Sequence, residues 1–321
     1  MPISAYPANI IIFIHYLCAM DKFYGEICQF LHDYGLHIYK VGEGYGHISV
    51  KAECSGNDRT IPLLLLEIRA NSQEEAERQH AEASAEIARL TDESGTYPLI
   101  LTEDRWSSQG EMTRSRLLAH LEIFTQIYAR NCEVRRIDKA TAQNFLQTSH
   151  SYGDAACKYR YGLYLKRHTG HNALRLSESN DNPDGQAITA LQPGTLIAVA
   201  TFSNARKWIK GDKTIRSYEW TRYASLPGVR LSGGMGKVLK TFIKEVQPDD
   251  IMTYADLEWS EGKVYEQLGF TLEGVKEPVT FLIGSDCRRR PDRPDIPAME
   301  EDRWLRNFGS NKYRLKLTDY Q

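Results

Sequence analysis

The chain has 321 residues, of which 41% are hydrophobic and 26% are charged, and its formal net charge is −2. At roughly 100–200 residues per domain this length favours two domains, and the composition excludes a disordered, collagen-like or low-complexity chain. The longest apolar stretch, residues 10–20, is about half as long as a membrane span, and no basic residue precedes it. We therefore expect neither a membrane protein nor an exported one, and a cytoplasmic location.

Charge divides the chain unevenly. Residues 1–130 hold 11 Lys and Arg against 18 Asp and Glu, whereas residues 131–321 hold 29 against 24. Two domains with different surfaces explain this contrast, so we place a boundary near residue 130 and expect an anionic ligand in the second domain. The six cysteines form no CxxC pair or zinc spacing, and His168 and His171 stand in a polar segment, so the sequence predicts no metal site.

The first half predicts a smaller α/β domain. Apolar residues at helical spacing and short apolar runs between turn residues mark its elements. Helices are predicted at residues 21–34, 74–90 and 111–128, and strands at 37–41, 47–50, 61–68 and 97–102. The run IPLLLLEI at 61–68 is apolar almost throughout, as in a strand that is buried on both faces.

The second half predicts a mixed sheet flanked by helices, with the order β-α-β-β-β-α-β-α-β. Strands are predicted at residues 132–137, 159–166, 196–202, 217–225, 251–256 and 279–283, and helices at 139–147, 236–246 and 262–268. The polar stretch at 168–193 shows no periodicity and predicts a long loop. The segment CRRRPDRPDIP at 287–297 predicts irregular structure, and residues 313–317 predict a last strand.

A glycine-rich turn follows the strand predicted at 217–225. Gly233, Gly234 and Gly236 lie where this turn opens a helix, so several backbone N–H groups and the positive end of the helix dipole share one place. Such a turn binds phosphate, because glycine lets an anion approach the backbone closely. The glycines alone fit a tight connection without a ligand equally well.

The residues of this turn resemble the GNAT acyltransferase superfamily, whose members bind acyl-CoA. The family pattern Arg/Gln-x-x-Gly-x-Gly/Ala matches RLSGGM at Arg230 and Gly233, with Met235 in the last position. Shifted by one residue, the pattern matches Gly234 and Gly236 but places a leucine at the Arg position. The turn is therefore similar to the family's pyrophosphate loop and departs from it at one position in each register.

A second motif supports the same resemblance. The segment VYEQLGF is similar to the family's Tyr-x-x-x-Gly-Phe motif, with Tyr265 as the tyrosine, while Glu258 stands where asparagine is common. The predicted β/α order also matches the GNAT fold over residues 132–284. The resemblance implies that acetyl-CoA or another acyl-CoA is the co-substrate and that Tyr265 protonates the leaving thiolate.

The resemblance also implies the remaining parts of a site. A backbone N–H near residues 224–226 would polarise the thioester carbonyl, and a carboxylate, Glu219 or Asp256, would deprotonate the acceptor amine. A structural salt bridge fits each carboxylate equally well. The predicted acyl-CoA contacts are Ala224, Ser225, Leu226, Arg230, Ser232, Gly233, Gly234, Met235, Gly236 and Lys237.

A narrower resemblance involves phage proteins. YEWTRYAS, YADLEWSEGKVYEQLGF and NKYRLKL are similar to the GNAT-like back half of phage proteins joined to Vsr-like homing endonucleases, which are distantly similar to the Mom DNA-modification protein. This resemblance implies that residues 1–130 form a degenerate Vsr-like nuclease fold. It implies a small-molecule or nucleobase amine as the acceptor, with DNA as a further partner.

A working nuclease is not expected in the first half. A metal-dependent site of this kind needs adjacent carboxylates and a lysine. Asp58 and Glu67 come nearest, but Arg69 replaces the lysine, and the acidic charge of the first half does not suit DNA. We therefore favour a structural or partner-binding role for this region.

Two groups of residues have two interpretations each. Trp208, Trp220 and Tyr223 stack a base or line an acceptor cleft, or they pack in the sheet, which we favour. Arg288–Arg290 contact phosphate or form a solvated loop, which we favour. Two other functions stay open for the whole chain: a mobile-element protein that binds or cuts DNA, and a transferase fold that has lost its chemistry and serves as a binding platform.

Overall fold

The computed structural model describes residues 22–53, 60–167, 191–295 and 297–320. The apolar stretch at 10–20, Asp58, His168 and His171 lie outside these ranges, as does most of the loop predicted at 168–193. Within them, no helix is long and apolar enough to cross a membrane.

In the described part of the first half, a sheet of four strands packs with four helices. The helices are α1 (Lys22–Asp33), α2 (Gln73–Ser94), α3 (Glu103–Ser108) and α4 (Gly110–His120), and the strands are β1 (Ile38–Gly44), β2 (His47–Glu53), β3 (Thr60–Leu66) and β4 (Leu99–Thr102). The sheet order is β1-β2-β3-β4, with β3 and β4 parallel and the other pairs antiparallel. Leu63 and Leu64 of β3 enter hydrophobic clusters on opposite faces, so the apolar run is buried on both sides as predicted.

The second half is built around a larger mixed sheet. Its strands are β5 (Thr125–Tyr128), β6 (Cys132–Arg136), β7 (Tyr159–Leu165), β8 (Leu196–Phe202), β9 (Arg206–Lys210), β10 (Lys213–Ser225), β11 (Val229–Ser232), β12 (Asp250–Asp256), β13 (Thr271–Lys276), β14 (Thr280–Ile283), β15 (Arg289–Pro291), β16 (Arg303–Arg306) and β17 (Ser310–Lys316), and its helices are α5 (Lys139–Ser149), α6 (Gly234–Val246) and α7 (Lys263–Gln267). The main sheet has the order β13-β17-β12-β10-β8-β7-β6, and β9 pairs with β10. The β10–β12 pair is parallel, and its neighbours in the sheet are antiparallel.

Helices cover both faces of this sheet. Val199 packs with Phe145 of α5, whereas its neighbours Ala198 and Ala200 pack with Phe242 of α6. Successive residues of a strand point to opposite faces, so α5 and α6 lie on opposite sides. The predicted fold class, a mixed sheet flanked by helices, is confirmed.

A small sheet is inserted between β13 and β17. Its order is β15-β14-β16, and Ile283 and Leu305 from it pack with Leu64 and Leu66 of β3 in one hydrophobic cluster. This insertion therefore attaches the second half of the chain to one face of the first-half sheet.

Two predicted elements were wrong. The helix predicted at 111–128 ends at His120, and its last residues form β5, which pairs in parallel with β11. The segment 287–297 is not irregular throughout, because Arg289–Pro291 pairs with β14. In the first case pairing with a strand about a hundred residues away outweighs the local pattern, and in the second a hairpin with the preceding strand β14 does so.

Candidate active site

The candidate active site lies where β10 and β12 separate. The two strands pair over residues 217–219 and 250–252, although β10 continues to Ser225 and β12 to Asp256. A register shift between Trp220 and Arg222 in the pairing of β10 with β8 marks the start of the separation. Parallel strands that diverge leave backbone N–H and C=O groups unpaired along their facing edges.

A cavity of about 580 Å³ occupies this divergence. Its wall includes Glu219 of β10, Asp256 of β12 and Tyr265 of α7, the three catalytic residues predicted from the sequence. Trp220 and Tyr223 also line it, while Trp208 packs edge-on against Tyr320, with 5.4 Å between ring centroids. The structure therefore brings the predicted reacting groups into one cavity, and their roles stay predictions.

Tyr265 is fixed in the cavity wall by aromatic packing. Its ring centroid lies 6.1 Å from that of Trp220, 5.7 Å from Phe270 and 5.6 Å from Tyr313. Burial raises the pKa of the Tyr265 phenol, although the Thr253 hydroxyl and a nearby arginine act in the opposite direction. The phenol therefore keeps its proton at neutral pH, as a proton donor must.

Asp256 is held by the first half of the chain. Its Oδ2 accepts hydrogen bonds from Arg105 of α3 at 3.1 Å and from the Tyr152 hydroxyl at 2.9 Å, and its Oδ1 accepts from the Glu258 amide at 3.0 Å. Burial alone raises the pKa of Asp256, but the Arg105 charge and the Glu258 amide lower it below its ordinary value. Asp256 is therefore an ionised and already hydrogen-bonded carboxylate.

Glu219 differs from Asp256 in its surroundings. Its backbone is fixed, because the amide donates to Ser203 Oγ at 2.9 Å and the carbonyl accepts from the Ser203 amide at 2.9 Å. Its carboxylate forms no hydrogen bond or ion pair within the described part of the chain, and Arg222 is a charge near it. Of the two predicted bases, Glu219 has the available oxygens.

The glycine-rich turn leads into α6. Gly233 adopts a φ of 77°, which glycine tolerates, and the amides of Gly234, Met235 and Gly236 have no acceptor among the described residues. These three N–H groups start a helix of 13 residues, so the positive end of its dipole adds to them. The turn is thus able to bind an anion through its backbone.

The side chains of the turn are already engaged with residues 124–132. Arg230 lies over the Phe124 ring at 5.1 Å, Ser232 Oγ accepts from the Gln126 amide group at 3.1 Å, and Lys237 Nζ donates to the carbonyls of Ala129 and Cys132. Among the predicted acyl-CoA contacts in the described chain, Met235 lines the cavity and the others do not. Any ligand contact at the turn therefore depends mainly on the backbone.

A backbone N–H near residues 224–226 is predicted to polarise the thioester carbonyl, and the structure leaves the Ser225 amide for this role. The Leu226 amide donates to the Ile197 carbonyl at 2.9 Å, which points it toward β8. Because N–H groups alternate between the two edges of a strand, the Ser225 amide points to the opposite edge, where β10 is free. Ala224 is buried with α5, so its side chain faces away from α6.

A buried ion network connects the site with α3 and the insertion. Arg289 pairs with Asp104 at 2.6 Å and with Glu258 at 2.8 Å, and Glu258 pairs with Arg105 at 3.0 Å. Arg105 is 4% exposed and in turn binds Asp256. The solvated loop predicted for residues 288–290 is therefore wrong for Arg289.

A larger cavity, of about 1390 Å³, lies on the other side of Tyr152. Asp104 and Arg105 of α3 and Arg160 of β7 contribute to its wall, and it shares Tyr152 and His150 with the first cavity. The Arg105–Tyr152–Asp256 hydrogen bonds thus lie in the partition between two cavities.

Two of the first-half residues weighed for nuclease chemistry, Glu67 and Arg69, lie outside both of these cavities. Glu67 and Arg69 form an ion pair with each other. In the described ranges, no group of three or more His, Cys, Asp or Glu side chains is arranged to hold a metal ion.

No protein-family model and no curated protein matches the chain. Solved structures that match part of it include the histone acetyltransferase HPA2 and related acetyltransferase from Corynebacterium glutamicum, at 11% identity over 60% of this chain and 99% of that one, with a TM-score of 0.32. A GNAT-family acetyltransferase from Bacillus anthracis matches at 13% identity over 60% and 98%, with a TM-score of 0.29. A mutant AtaT toxin bound to the C-terminus of the antitoxin AtaR and acetyl-CoA matches at 13% identity over 55% and 93%, with a TM-score of 0.23. TM-scores below 0.5 are too low for these matches to assign an activity to the chain.

Proposed function

We propose that the chain is an acyl-CoA-dependent N-acyltransferase. The observation that supports this most is the separation of the parallel strands β10 and β12, with Tyr265 and Glu219 in the cavity between them and unpaired amides at the start of α6. A thioester needs a polarising donor, an amine needs a base, and a leaving thiolate needs an acid. Glu219 and Tyr265 in the cavity wall and the Ser225 amide at the free edge of β10 offer one group for each task.

The reaction divides among these groups as follows. The amides of residues 234–236 bind the pyrophosphate, and the Ser225 amide donates to the thioester carbonyl oxygen. Glu219 takes a proton from the acceptor amine, whose nitrogen then forms a bond to the carbonyl carbon. The carbon–sulfur bond breaks, and Tyr265 donates its proton to the sulfur.

We assign the base to Glu219 rather than to Asp256. A base needs free oxygens within reach of the amine, and both oxygens of Asp256 already accept hydrogen bonds. The Asp256 carboxylate instead fixes Arg105 and Tyr152 at the edge of the cavity. Its role in this proposal is to position the wall.

The proposal also includes the class of acceptor and the partners of the protein. The resemblance to phage proteins supports a nucleobase or other DNA-linked amine, and the size of the cavity supports a small amine. A cytoplasmic location and a nuclease-derived first domain belong to the same hypothesis.

A second function is favoured by one observation. Residues 124–132 contact the side chains of Arg230, Ser232 and Lys237, and Lys237 donates there to two backbone carbonyls rather than to a phosphate. A GNAT-like module that no longer binds acyl-CoA would show this pattern. Acyl-CoA binding separates the two functions.

The test is stabilisation by acetyl-CoA, with Gly236 as the position to change. A Cβ at Gly236 meets only the flexible Leu268 side chain, at 3.3 Å, whereas a Cβ at Gly234 would lie 2.5 Å from the Tyr223 hydroxyl. Acetyl-CoA at a hundred times its Kd should stabilise the wild type and Gly236→Ala by about 2.7 kcal/mol. Gly236→Asp should lose this effect, because a carboxylate at the turn repels phosphate. No stabilisation of the wild type by acetyl-CoA or other acyl-CoAs would favour the non-binding module.

A further inference from the structure

The cavity between β10 and β12 carries an excess of positive side chains. Its described wall contains the cations Arg116, Arg206, Arg222 and Lys276 and the carboxylates Glu219, Asp256 and Glu277. Asp256 is already neutralised by Arg105, which approaches it from α3. The field inside the cavity therefore favours an anionic ligand group.

Arg116 of α4 is the cation whose position is most informative. Its guanidinium lies over the Trp259 ring at 4.3 Å, and it forms no hydrogen bond or ion pair within the described part of the chain. Burial lowers the pKa of Arg116 to about 10, with the Asp256 charge acting in the opposite direction, so the group is charged at neutral pH. A partly buried guanidinium without an anionic partner is energetically unfavourable. An anion bound in the cavity would pair with the Arg116 charge and remove this cost.

Two further donors in the same wall lack an acceptor. The buried indole Nε1–H of Trp259 and the Tyr223 hydroxyl have no hydrogen-bond partner among the described residues. An indole N–H is a donor only, so what satisfies it must be an acceptor. Both atoms are buried, whereas Arg116 is partly exposed, so Arg116 is the unpaired donor of this described wall that a ligand oxygen can reach.

We infer that the amine acylated in this cavity belongs to a molecule that also carries a carboxylate or phosphate group, and that Arg116 binds this group. The inference rests on the proposed acyltransfer, because it names the acceptor of that reaction. A guanidinium matches both oxyanions with paired N–H···O bonds. With the oxyanion on Arg116, the amine is left to face Glu219 across the cavity.

The two possible sources of the oxyanion are separated by small probes that need no acyl-CoA. β-Alanine carries an amine and a carboxylate, phosphoethanolamine carries an amine and a phosphate, and propylamine carries an amine alone. Binding is followed by the indole N–H resonance of Trp259 and by calorimetry. We expect at least one of the two anionic amines to bind about 10- to 100-fold more tightly than propylamine, the value expected for charge-assisted hydrogen bonds. The tighter of the two identifies carboxylate or phosphate as the recognised group.

Variants on the same helix test the role of Arg116. Arg116→Gln should abolish the preference for the anionic amine, and Arg116→Lys should keep part of it, because the charge remains but the paired geometry is lost. Arg114→Gln is the matched control, since Arg114 also lies on α4 over a tryptophan ring, at 4.6 Å from Trp106, but lines neither cavity. It should behave as the wild type.

Two results would overturn the inference. One is equal binding, or no binding, of all three amines to the wild type at tens of millimolar. The other is an anion preference that survives in Arg116→Gln. Neither result depends on acyl-CoA, so failure of this inference is distinguishable from failure of the acyltransferase proposal, which acetyl-CoA stabilisation tests separately.

Discussion

The polar side chains at the two ends of the cleft between β10 and β12 differ in their hydrogen bonding. The reacting end holds Glu219, Tyr265 and Arg116, and the other end is the glycine-rich turn at residues 230–237. At the reacting end, the side chains of Glu219 and Arg116 form no hydrogen bond or ion pair within the described chain, although Arg116 lies over the Trp259 ring. At the turn, Ser232 and Lys237 are hydrogen-bonded to residues of β5 and the segment after it. Because unpartnered polar groups in a cavity are unfavourable, they mark the end where a ligand is recognised by side chains. At the turn, Lys237 donates to backbone carbonyls of residues 129 and 132, while the amides of residues 234–236 have no acceptor among the described residues.

The variant Tyr265→Phe is the most severe test of the role assigned to the reacting end of the cleft. Removal of the proton donor should lower turnover by about 10²- to 10⁴-fold with a nearly constant KM, because the lost interaction forms mainly in the transition state. Steady-state kinetics with acetyl-CoA and the acceptor found for the cavity measure this. Tyr313→Phe is the control, since the Tyr313 hydroxyl donates to the Glu261 carbonyl at 2.7 Å and lies outside the cavity. Equal turnover in Tyr265→Phe and the wild type would remove Tyr265 from the mechanism.

The local sequence pattern predicted the elements whose burial follows from a run of neighbouring apolar residues. The apolar run in β3 and the strand at residues 196–202 were found as predicted, because each is buried on both faces. The motif around Tyr265 also led to the cavity. Such signals reside in neighbouring residues, so a single sequence is enough to find them.

The partners of the site could not be predicted in the same way. Arg105 bonds Asp256 across 151 positions, and Arg289 bonds Asp104 across 185. Arg116 meets Trp259 because the segment after β12 packs into a hydrophobic cluster of the first half. No periodicity or spacing records these contacts, and the arginine-rich segment 287–297 is typical of a solvated loop when it is considered alone.

The two carboxylates of the cavity provide the second prediction. Asp256→Asn removes one of the two carboxylates that pair with the buried Arg105 and should cost about 3–5 kcal/mol in the free energy of unfolding. Glu219→Gln should change stability by only about 0.5 kcal/mol, because its carboxylate forms no hydrogen bond or ion pair in the described chain, and should lower turnover by about 10²-fold. Chemical denaturation and kinetics on both variants measure the contrast. A stable Asp256→Asn variant with greatly reduced turnover would exchange the roles assigned to them.

The turn end of the cleft provides the third prediction. Lys237→Met removes two hydrogen bonds from an ammonium group to the carbonyls of Ala129 and Cys132, and should lower the free energy of unfolding by about 1.5–3 kcal/mol. Affinity for acetyl-CoA should change little, because the amides at the start of α6 remain. Lys240→Met on the exposed side of the same helix is the control for loss of charge. A large loss of affinity with unchanged stability would show that Lys237 reaches the ligand.

The smallest effect concerns pH and the residue shared by both cavities, His150. Burial and the charges of Arg222, Arg116 and Arg105 lower the pKa of His150 to about 3, with Asp256 acting in the opposite direction. The folded protein keeps this ring neutral, and its Nδ1 accepts from the Tyr152 amide at 3.1 Å, whereas the unfolded chain takes up a proton near pH 6.5. The contribution of His150 to the free energy of unfolding is therefore fully present above pH 6.5. It declines by about 1.4 kcal/mol per pH unit as the pH falls toward 3.

His150→Gln should remove this slope while leaving stability at pH 8 less affected. Urea unfolding at intervals between pH 8 and pH 5 measures it, in a range where carboxylates contribute little. Below pH 6.5, the free energy of unfolding of the wild type should fall by about 1.4 kcal/mol more per pH unit than that of the variant. Identical slopes would mean that His150 has the same pKa in the folded and the unfolded protein, and then the positive wall of the reacting end would not carry the field that we assign to it. In the wild type with phosphoethanolamine or β-alanine bound, whichever binds, the added anion should raise the pKa of His150, which an NMR titration of its ring resonances would detect.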